Sequence, residues 1–346
     1  TVIDTITYTN LAPGRAYRAE GRLMDRATGA ETGITGFAEF VADQSGNGTV
    51  DVEFVINDAW AGSTLVAFEQ VFELGVEGGE PTLAAVHEDI TDVAQTVTVG
   101  DVPLIGTTLV DDLDGDQYVV QSGGTVVDTV AYENLVPNTV YTVSGELMDQ
   151  ETGEATGITG SAVFTSSDTG TGTVEVEFEI TDAWAGRTLT AFEVVSLGDV
   201  EVAWHTDIDD EAQTVYVADL GTTLVDAADG DKNVAAAGGT VIDTVAYENL
   251  VPNTEYTVSG QLFEKSSGIG TGILGSATFT SSATGSGTVE VEFVITDGWA
   301  GRTLVAFEVV TRGDLVVAVH QDINDAAQTV VVDEAIEPTP TPTVTP

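Results

Sequence analysis

The feature that most constrains this chain is that it is written three times. The stretch TVVDTVAYENLVPNTVYTVSG at 125–145 recurs as TVIDTVAYENLVPNTEYTVSG at 240–260. The shift is 115 residues, and it holds without a gap through AQTVYV (212–217) and AQTVVV (327–332). A more divergent copy opens at Thr1 with TVIDTITYTNLAPGRAYRAEG and reaches AQTVTV at 94–99. The offset is 124 from Asp4 to Asp128 but 118 from Gln95 to Gln213, so the first copy carries six extra residues. They are expected near Gly75–Pro81, in a hairpin loop. A chain of 346 residues accommodates two or three ordinary domains. The expected division is 1–100, 101–218 and 219–333, with 334–346 as a linker.

Each copy reads as all-β. TVEVEFEI (173–180) and TVEVEFVI (288–295) alternate apolar and acidic residues with period two, the pattern of a strand with one wet face. Turn clusters such as SSDTGTG (166–172) and LVPNT (135–139) separate the runs. No segment longer than a turn or two has helical periodicity. Several short strands in about 115 residues predict one Ig-like, Greek-key β-sandwich per copy, and three in tandem predict a rod. The tail EPTPTPTVTP (337–346) reads as an extended, stiff stalk or spacer.

Composition removes several classes of function. Acidic residues number 57 against 9 basic ones, a formal net charge of -48. Binding to nucleic acid or to an anionic membrane needs clustered Lys and Arg, so both are excluded. There are no cysteines, which excludes disulfides, zinc–thiolate sites and Fe–S clusters. No run of 18 apolar residues is present to span a membrane. No signal peptide is read, because residue 1 opens inside a strand pattern. The acidic surface is expected to keep the rod soluble, extended and monomeric.

The residues able to carry chemistry share one phase of the repeat. The three histidines, His87, His205 and His320, are each followed eight residues later by Gln95, Gln213 and Gln328. The local strings are HEDITDVAQT, HTDIDDEAQT and HQDINDAAQT. Upstream stand Glu69, Glu193 and Glu308 in VAFE or TAFE, and earlier still Asp4, Asp128 and Asp243 in DTITY or DTVAY. The second and third copies also open with GTTLVD, at 106–111 and 221–226. That segment supplies Thr107 or Thr108, and Thr222 or Thr223. From Thr107 to Gln213 is 106 residues, and from Thr222 to Gln328 is again 106.

VAFE, DTVAYENL and the H-x7-Q-T ending together resemble the VaFE-repeat, or Thr–Gln ester-bond, domains of Gram-positive surface adhesins. The resemblance covers nearly the whole chain apart from the tail. It implies that a first-strand Thr attacks the side-chain amide of a last-strand Gln, releasing ammonia and leaving an intramolecular ester. The implied pairs are Thr107–Gln213 and Thr222–Gln328. The first Thr of each GTT pair is chosen on the family's strand pattern, since the residues do not separate it from its neighbour. The resemblance further implies a structural shaft at the cell surface or cell wall, whose ligand on a host or neighbouring cell is met by a head domain outside this chain.

The implied chemistry suits these residue types. A Thr hydroxyl is a weak nucleophile until a base takes its proton. The amide nitrogen leaves only when protonated. His205 and His320 can serve as base and then acid, since imidazole titrates near neutrality. A buried Asp and Glu side by side cannot both ionise easily, so one member of Asp128–Glu193 and of Asp243–Glu308 keeps its proton. That carboxyl is expected to donate to the Gln carbonyl oxygen. Which carboxyl holds it stays open, as does Asp149 as the alternative to Asp128. The reaction occurs once per domain, so the protein is not an enzyme in the turnover sense.

The first copy departs from this pattern. The 21 residues separating Thr107 from Asp128, counted back from Asp4, land before residue 1, so Asp4, Glu69, His87 and Gln95 form an incomplete site with an open sheet edge. Gln95 is expected to remain a free amide.

Blander readings stand beside these. The histidines could be satisfied core residues copied by duplication, although the divergent first copy keeps Asp, Glu, His and Gln. The tryptophans at 60, 184 and 299 read as packing residues. The loops DDLDGDQ (111–117) and DAADGDK (226–232) look like calcium loops but lack the twelfth-position Glu, and read as solvated turns. The grouping His205, Asp207, Asp210 is thin evidence for a metal, and neither metal nor cofactor is expected. A Lys–Asn isopeptide link fails because Lys occurs only at 232 and 265. The competing function is a tandem binding module that recognises a glycan or host protein directly. A secreted hydrolase finds no G-x-S-x-G or H-E-x-x-H to support it.

Overall fold

The computed structural model describes residues 1–75 and 79–335. The segment 337–346 and part of the first copy's insertion lie outside the described residues. The chain divides into two compact units, Thr1–Leu104 with Glu133–Pro137, and Ile105–Tyr132 with Asn138–Pro346. The first unit contains the first copy with Glu133–Pro137 and the first residues of the second, and the second unit contains the rest of the second copy and the third.

The first copy comprises β1 (Val2–Tyr8), β2 (Ala16–Asp25), β3 (Glu31–Val41), β4 (Gly48–Phe54), β5 (Thr64–Glu73), β6 (Thr82–His87) and β7 (Thr96–Thr98). Strands β1 and β4 pair as one sheet, and β3-β2-β5-β6 form the other, with β7 also on β5. The second copy comprises β8 (Leu104–Asp111), β9 (Tyr118–Val119), β10 (Gly123–Glu133), β11 (Val140–Asp149), β12 (Ala155–Thr165), β13 (Gly172–Thr181), β14 (Thr188–Leu197), β15 (Val200–His205) and β16 (Thr214–Val217). The third repeats it as β17 (Asp219–Asp226), β18 (Asn233–Val234), β19 (Gly238–Glu248), β20 (Glu255–Glu264), β21 (Ile269–Thr280), β22 (Gly287–Thr296), β23 (Thr303–Arg312), β24 (Leu315–His320) and β25 (Thr329–Val332). In the second copy β13-β10-β8 face β12-β11-β14-β16-β9, with β15 on β14, and the third copy matches strand for strand. First, second and fifth long strands in one sheet, and third, fourth and sixth in the other, is an Ig-like sandwich. All three copies are β-sandwiches, and the described residues contain no α-helix.

The period-two pattern works as the sequence requires. In β13, Val176, Phe178 and Ile180 are buried while Glu175, Glu177 and Glu179 face water. Val241, Val245, Val258, Phe293, Leu304 and Val310 fill the third copy's core, each side chain of this kind contributing about 1.5–3 kcal/mol when fully buried. Trp60 and Trp299 end single 3-10 turns and pack half-buried against their cores, as packing residues do.

The site arises from a break along one strand edge. β14 pairs with β16 through Thr188–Thr190 and with β15 through Glu193–Leu197. Between those stretches the chain leaves β15 after His205, passes the 3-10 turn Glu211–Gln213 and returns as β16. Glu193, directly paired with His205, therefore lies beside the break that the turn carrying Gln213 fills. On β11, Gly145 stands opposite Glu193 because a Cβ there would come 2.6 Å from Phe178 Cζ. Gly260 repeats this at 2.5 Å from Phe293 Cζ.

Within the second unit, the second and third copies are docked. The Gln121 backbone N–H donates to Val317 O at 2.8 Å, Val319 N–H donates to Gln121 Oε1 at 2.7 Å, and Gln121 Nε2 donates to Asp219 Oδ1 at 2.8 Å. Arg312 of the third copy pairs with Asp116 at 3.1 Å and with Asp114. The loop read as a solvated turn thus binds an arginine through two of its carboxylates.

Candidate functional site

Strand alternation decides which groups face inward. On β8, Thr107 points into the sandwich and is 8 % exposed, whereas Thr108 points outward; on β17, Thr222 is 6 % exposed and Thr223 points outward. Asp128 sits between Val126 and Val130 on the inner face of β10, and Glu193 between Ala191 and Val195 on that of β14. Asp243 and Glu308 repeat this, and all four carboxyls are fully buried. An aliphatic residue is what the pattern predicts at such positions, and burying a charge there costs several kcal/mol.

These side chains converge at one point between the sheets. Gln213 Nε2 donates to Thr107 Oγ1 and, at 2.6 Å, to Glu193 Oε2. His205 Nδ1 lies 3.3 Å from the same Thr107 Oγ1. In the third copy Gln328 Nε2 contacts Thr222 Oγ1 and Glu308 Oε2, and His320 Nδ1 lies 3.0 Å from Thr222 Oγ1. Gln213 and Gln328 are completely buried. An imidazole and a carboxamide thus both meet one threonine hydroxyl, with the carboxamide fully buried and the imidazole partly open to solvent. This is the constellation for acyl transfer from nitrogen to oxygen.

Burial also separates the two carboxyls. Glu193 is pushed up to about 9 by desolvation first and then by the neighbouring Asp128, and Glu308 to about 10 by burial and Asp243. Asp128 and Asp243 are raised by burial too, but the adjacent glutamate and histidine oppose the rise. Burial and the neighbouring aspartate thus favour the protonated form of the glutamate within each pair. Neither Asp128 oxygen nor Glu193 Oε1 has a side-chain donor other than the facing carboxyl, so a proton on Glu193 supplies a donor within the pair. The carboxyl meets the amide at its nitrogen. Gln213 Oε1, where donation was expected, is buried without a partner. Asp149 is elsewhere: its Oδ1 accepts from Glu151 N at 3.0 Å and its Oδ2 lies 3.7 Å from Arg187.

In the first copy, Gln95 Nε2 donates to Glu69 Oε2 at 2.5 Å, and Glu69 is pushed up to about 8 by burial and then by Asp4. His87 Nδ1 faces Glu69 Oε2 at 3.8 Å, where the other copies present a threonine hydroxyl. Its side chain is 49 % exposed, against 25 % for His205 and 23 % for His320.

Sequence reasoning grouped Asp210 with His205 only as thin evidence for a metal and gave the equivalent aspartates no place in the site. His87 Nε2 lies 3.2 Å from Asp92 Oδ2, His205 Nε2 lies 3.3 Å from Asp210 Oδ2, and His320 Nε2 lies 3.2 Å from Asp325 Oδ2. The signal was an aspartate five residues after every histidine, concealed among neighbouring acids. Asp207 is spent on its own turn, accepting from Asp209 N at 3.1 Å. The described residues hold no cluster of three or more His, Asp or Glu side chains arranged for a metal ion.

The model of the T-Q ester bond containing domain matches residues 1–99, 103–217 and 218–332. The chain belongs to this family. It consists of three tandem T-Q ester bond domains, the repeat type found in stalks of bacterial surface adhesins. Similar solved structures include a bacterial adhesin from Mobiluncus mulieris with intramolecular disulfide, isopeptide and ester bond cross-links. It is 13% identical at a TM-score of 0.32, over 60% of this chain and 80% of that one. A second crystal form of it gives 15% and 0.30 over the same shares. A 1.5-MDa bacterial ice-binding adhesin is 14% identical at a TM-score of 0.28, over 96% of this chain and 91% of that one. No curated protein matches the sequence.

Proposed function

We propose that the second and third T-Q domains cross-link themselves, Thr107 to Gln213 and Thr222 to Gln328, and that the product is a load-bearing stalk segment of a Gram-positive surface adhesin, held at the cell wall. The observation that carries this reading is the contact of Gln213 Nε2 with Thr107 Oγ1, repeated by Gln328 and Thr222.

The step balances within the module. His205 Nδ1 takes the Thr107 hydroxyl proton as Oγ1 attacks Gln213 Cδ, forming the C–O bond. The amide nitrogen touches that same oxygen, so it is the next acceptor within reach of the imidazolium. Protonated, it leaves as ammonia when the C–N bond breaks. Asp128, the ionised member of the carboxyl pair, offsets the transient charge on His205. Neutral Glu193 accepts from the amide N–H and holds the carboxamide against the nucleophile. No external reagent enters, and each module reacts once.

The product joins the first long strand of the sandwich to the start of its last. Tension along the chain then runs through the covalent link, and the strands between need not bear it. A cross-link closing a loop of 106 residues removes unfolded-state entropy worth roughly 4–5 kcal/mol, on the scale established for disulfides. Peptide mapping tests the proposal: a Thr107–Gln213 cross-linked peptide pair, cleaved by hydroxylamine, is expected, and separate linear peptides would refute it.

A further inference from the structure

We propose that Asp210 and Asp325 are positioning residues that complete a Thr–His–Asp relay in the second and third modules and tie that relay to the turn carrying the glutamine. The inference rests on the ester-forming reading above and deepens it.

Each aspartate has three acceptor groups, and all are used alike. Asp210 Oδ2 faces His205 Nε2 at 3.3 Å, Oδ1 accepts from Ala212 N at 2.8 Å, and the backbone carbonyl accepts from Thr214 Oγ1 at 2.8 Å. Asp325 does the same with His320 at 3.2 Å, Ala327 N at 2.7 Å and Thr329 Oγ1 at 2.6 Å. The residues bound, Ala212 and Thr214, flank Gln213, and Ala327 and Thr329 flank Gln328. One carboxylate therefore fixes the base with one oxygen and the turn presenting the electrophile with the other.

The chemical consequence is a choice of tautomer. A neutral imidazole donates from one nitrogen and accepts at the other, and the partner of one ring nitrogen sets which is which. A carboxylate at Nε2 is acceptor-only, so it places the proton there. Nδ1 is left with its lone pair toward Thr107 Oγ1, the state a general base needs. In the first module Asp92 holds His87 Nε2 at 3.2 Å, accepts from Ala94 N at 2.8 Å and from Thr96 Oγ1 at 2.6 Å, although His87 Nδ1 faces Glu69. The aspartate–histidine pair is therefore built independently of the nucleophile.

The test uses the full chain, made by cell-free synthesis and quenched over time, with each cross-link followed by peptide mapping. In Asp210→Asn the amide oxygen can still accept from Ala212 N, while its NH2 group faces Nε2 and drives the proton to Nδ1. In serine proteases the corresponding change costs about 10⁴-fold by fixing the wrong tautomer. Here the Thr107–Gln213 link is expected to slow by about 10²–10⁴-fold, with Thr222–Gln328 forming at the parent rate in the same molecule and Asp210→Glu restoring part of the loss. Ring ¹⁵N shifts of His205 in a Thr107→Ala background should report the Nε2–H tautomer, converting to Nδ1–H with Asp210→Asn. Parent-rate cross-linking in Asp210→Asn, or a parent His205 protonated at Nδ1, would overturn the proposal. The second criterion still decides if Asp210→Asn does not fold. Absence of both cross-links from the parent chain would instead overturn the ester-forming function itself.

Discussion

The first T-Q module and the second share a buried glutamate, a histidine held by an aspartate and a glutamine bonded to that glutamate, yet they differ in one contact. In the second module the amide and imidazole nitrogens meet on Thr107 Oγ1; in the first, His87 Nδ1 and Gln95 Nε2 both face Glu69. The glutamate, histidine and glutamine are thus laid down by one sheet and its edge turn, on β5, β6 and the turn before β7, while the aspartate Asp4 comes from β1 in the opposite sheet. The threonine proposed as nucleophile likewise comes from that opposite sheet, which has strands β13-β10-β8 in the second module and β1-β4 in the first. If the proposed links form, the first module, whose histidine and glutamine meet no threonine hydroxyl among the described residues, is the internal comparison for the other two.

The largest effect should come from making the second and third modules resemble the first. Thr107→Ala with Thr222→Ala is expected to abolish both cross-links and to lower the stability of each module by roughly 4–5 kcal/mol, read as earlier denaturant midpoints. Midpoints unchanged from the parent would mean that the threonines carry no bond.

Next in size is the base. His205→Ala should slow the Thr107–Gln213 link by about 10²–10⁴-fold while leaving the third module at its own rate. Equal rates in both modules, measured by time-resolved peptide mapping, would remove His205 from the reaction.

A smaller effect concerns the retained proton. Glu193 is raised from its ordinary 4.5 to about 9, so the folded module binds this proton more tightly than the unfolded chain. Its stabilising contribution is complete below about pH 4.5 and is lost as pH rises toward about 9. In the Thr107→Ala, Thr222→Ala background, Glu193→Gln should flatten the decline in urea midpoint between about pH 5 and pH 8. A decline just as steep in that variant would place the proton elsewhere.

The smallest expected effect is none. Thr108→Ala and Thr223→Ala change outward-facing neighbours and should leave both cross-links complete by intact mass. Loss of either would mean that the register of β8 or β17 is shifted by one residue.

What was legible in the sequence was whatever repeats at long range. The three copies, the Thr107–Gln213 spacing and the histidine phase follow from counting, and VAFE with H-x7-Q-T led directly to the family. Choosing Thr107 over Thr108 needed strand register, because GTT offers two hydroxyls and only the inner face of β8 selects one. The upward shift of Glu193 comes from burial and from Asp128, which no string of residues records. Asp210 stayed hidden because HTDIDDEAQT contains four acids, and only a folded turn distinguishes the one under His205 Nε2. Arg312 on Asp114 and Asp116 spans 198 and 196 residues and breaks the repeat, since the second module has Leu197 at that position. Repeat logic passes over such a contact.

Intact mass of the whole chain decides whether the two esters exist. A deficit of two ammonia molecules relative to the sequence is expected, one each for Thr107–Gln213 and Thr222–Gln328, with Gln95 still an amide. A mass equal to that of the unmodified chain would contradict it, and a deficit of three would contradict the distinction drawn between the first module and the other two.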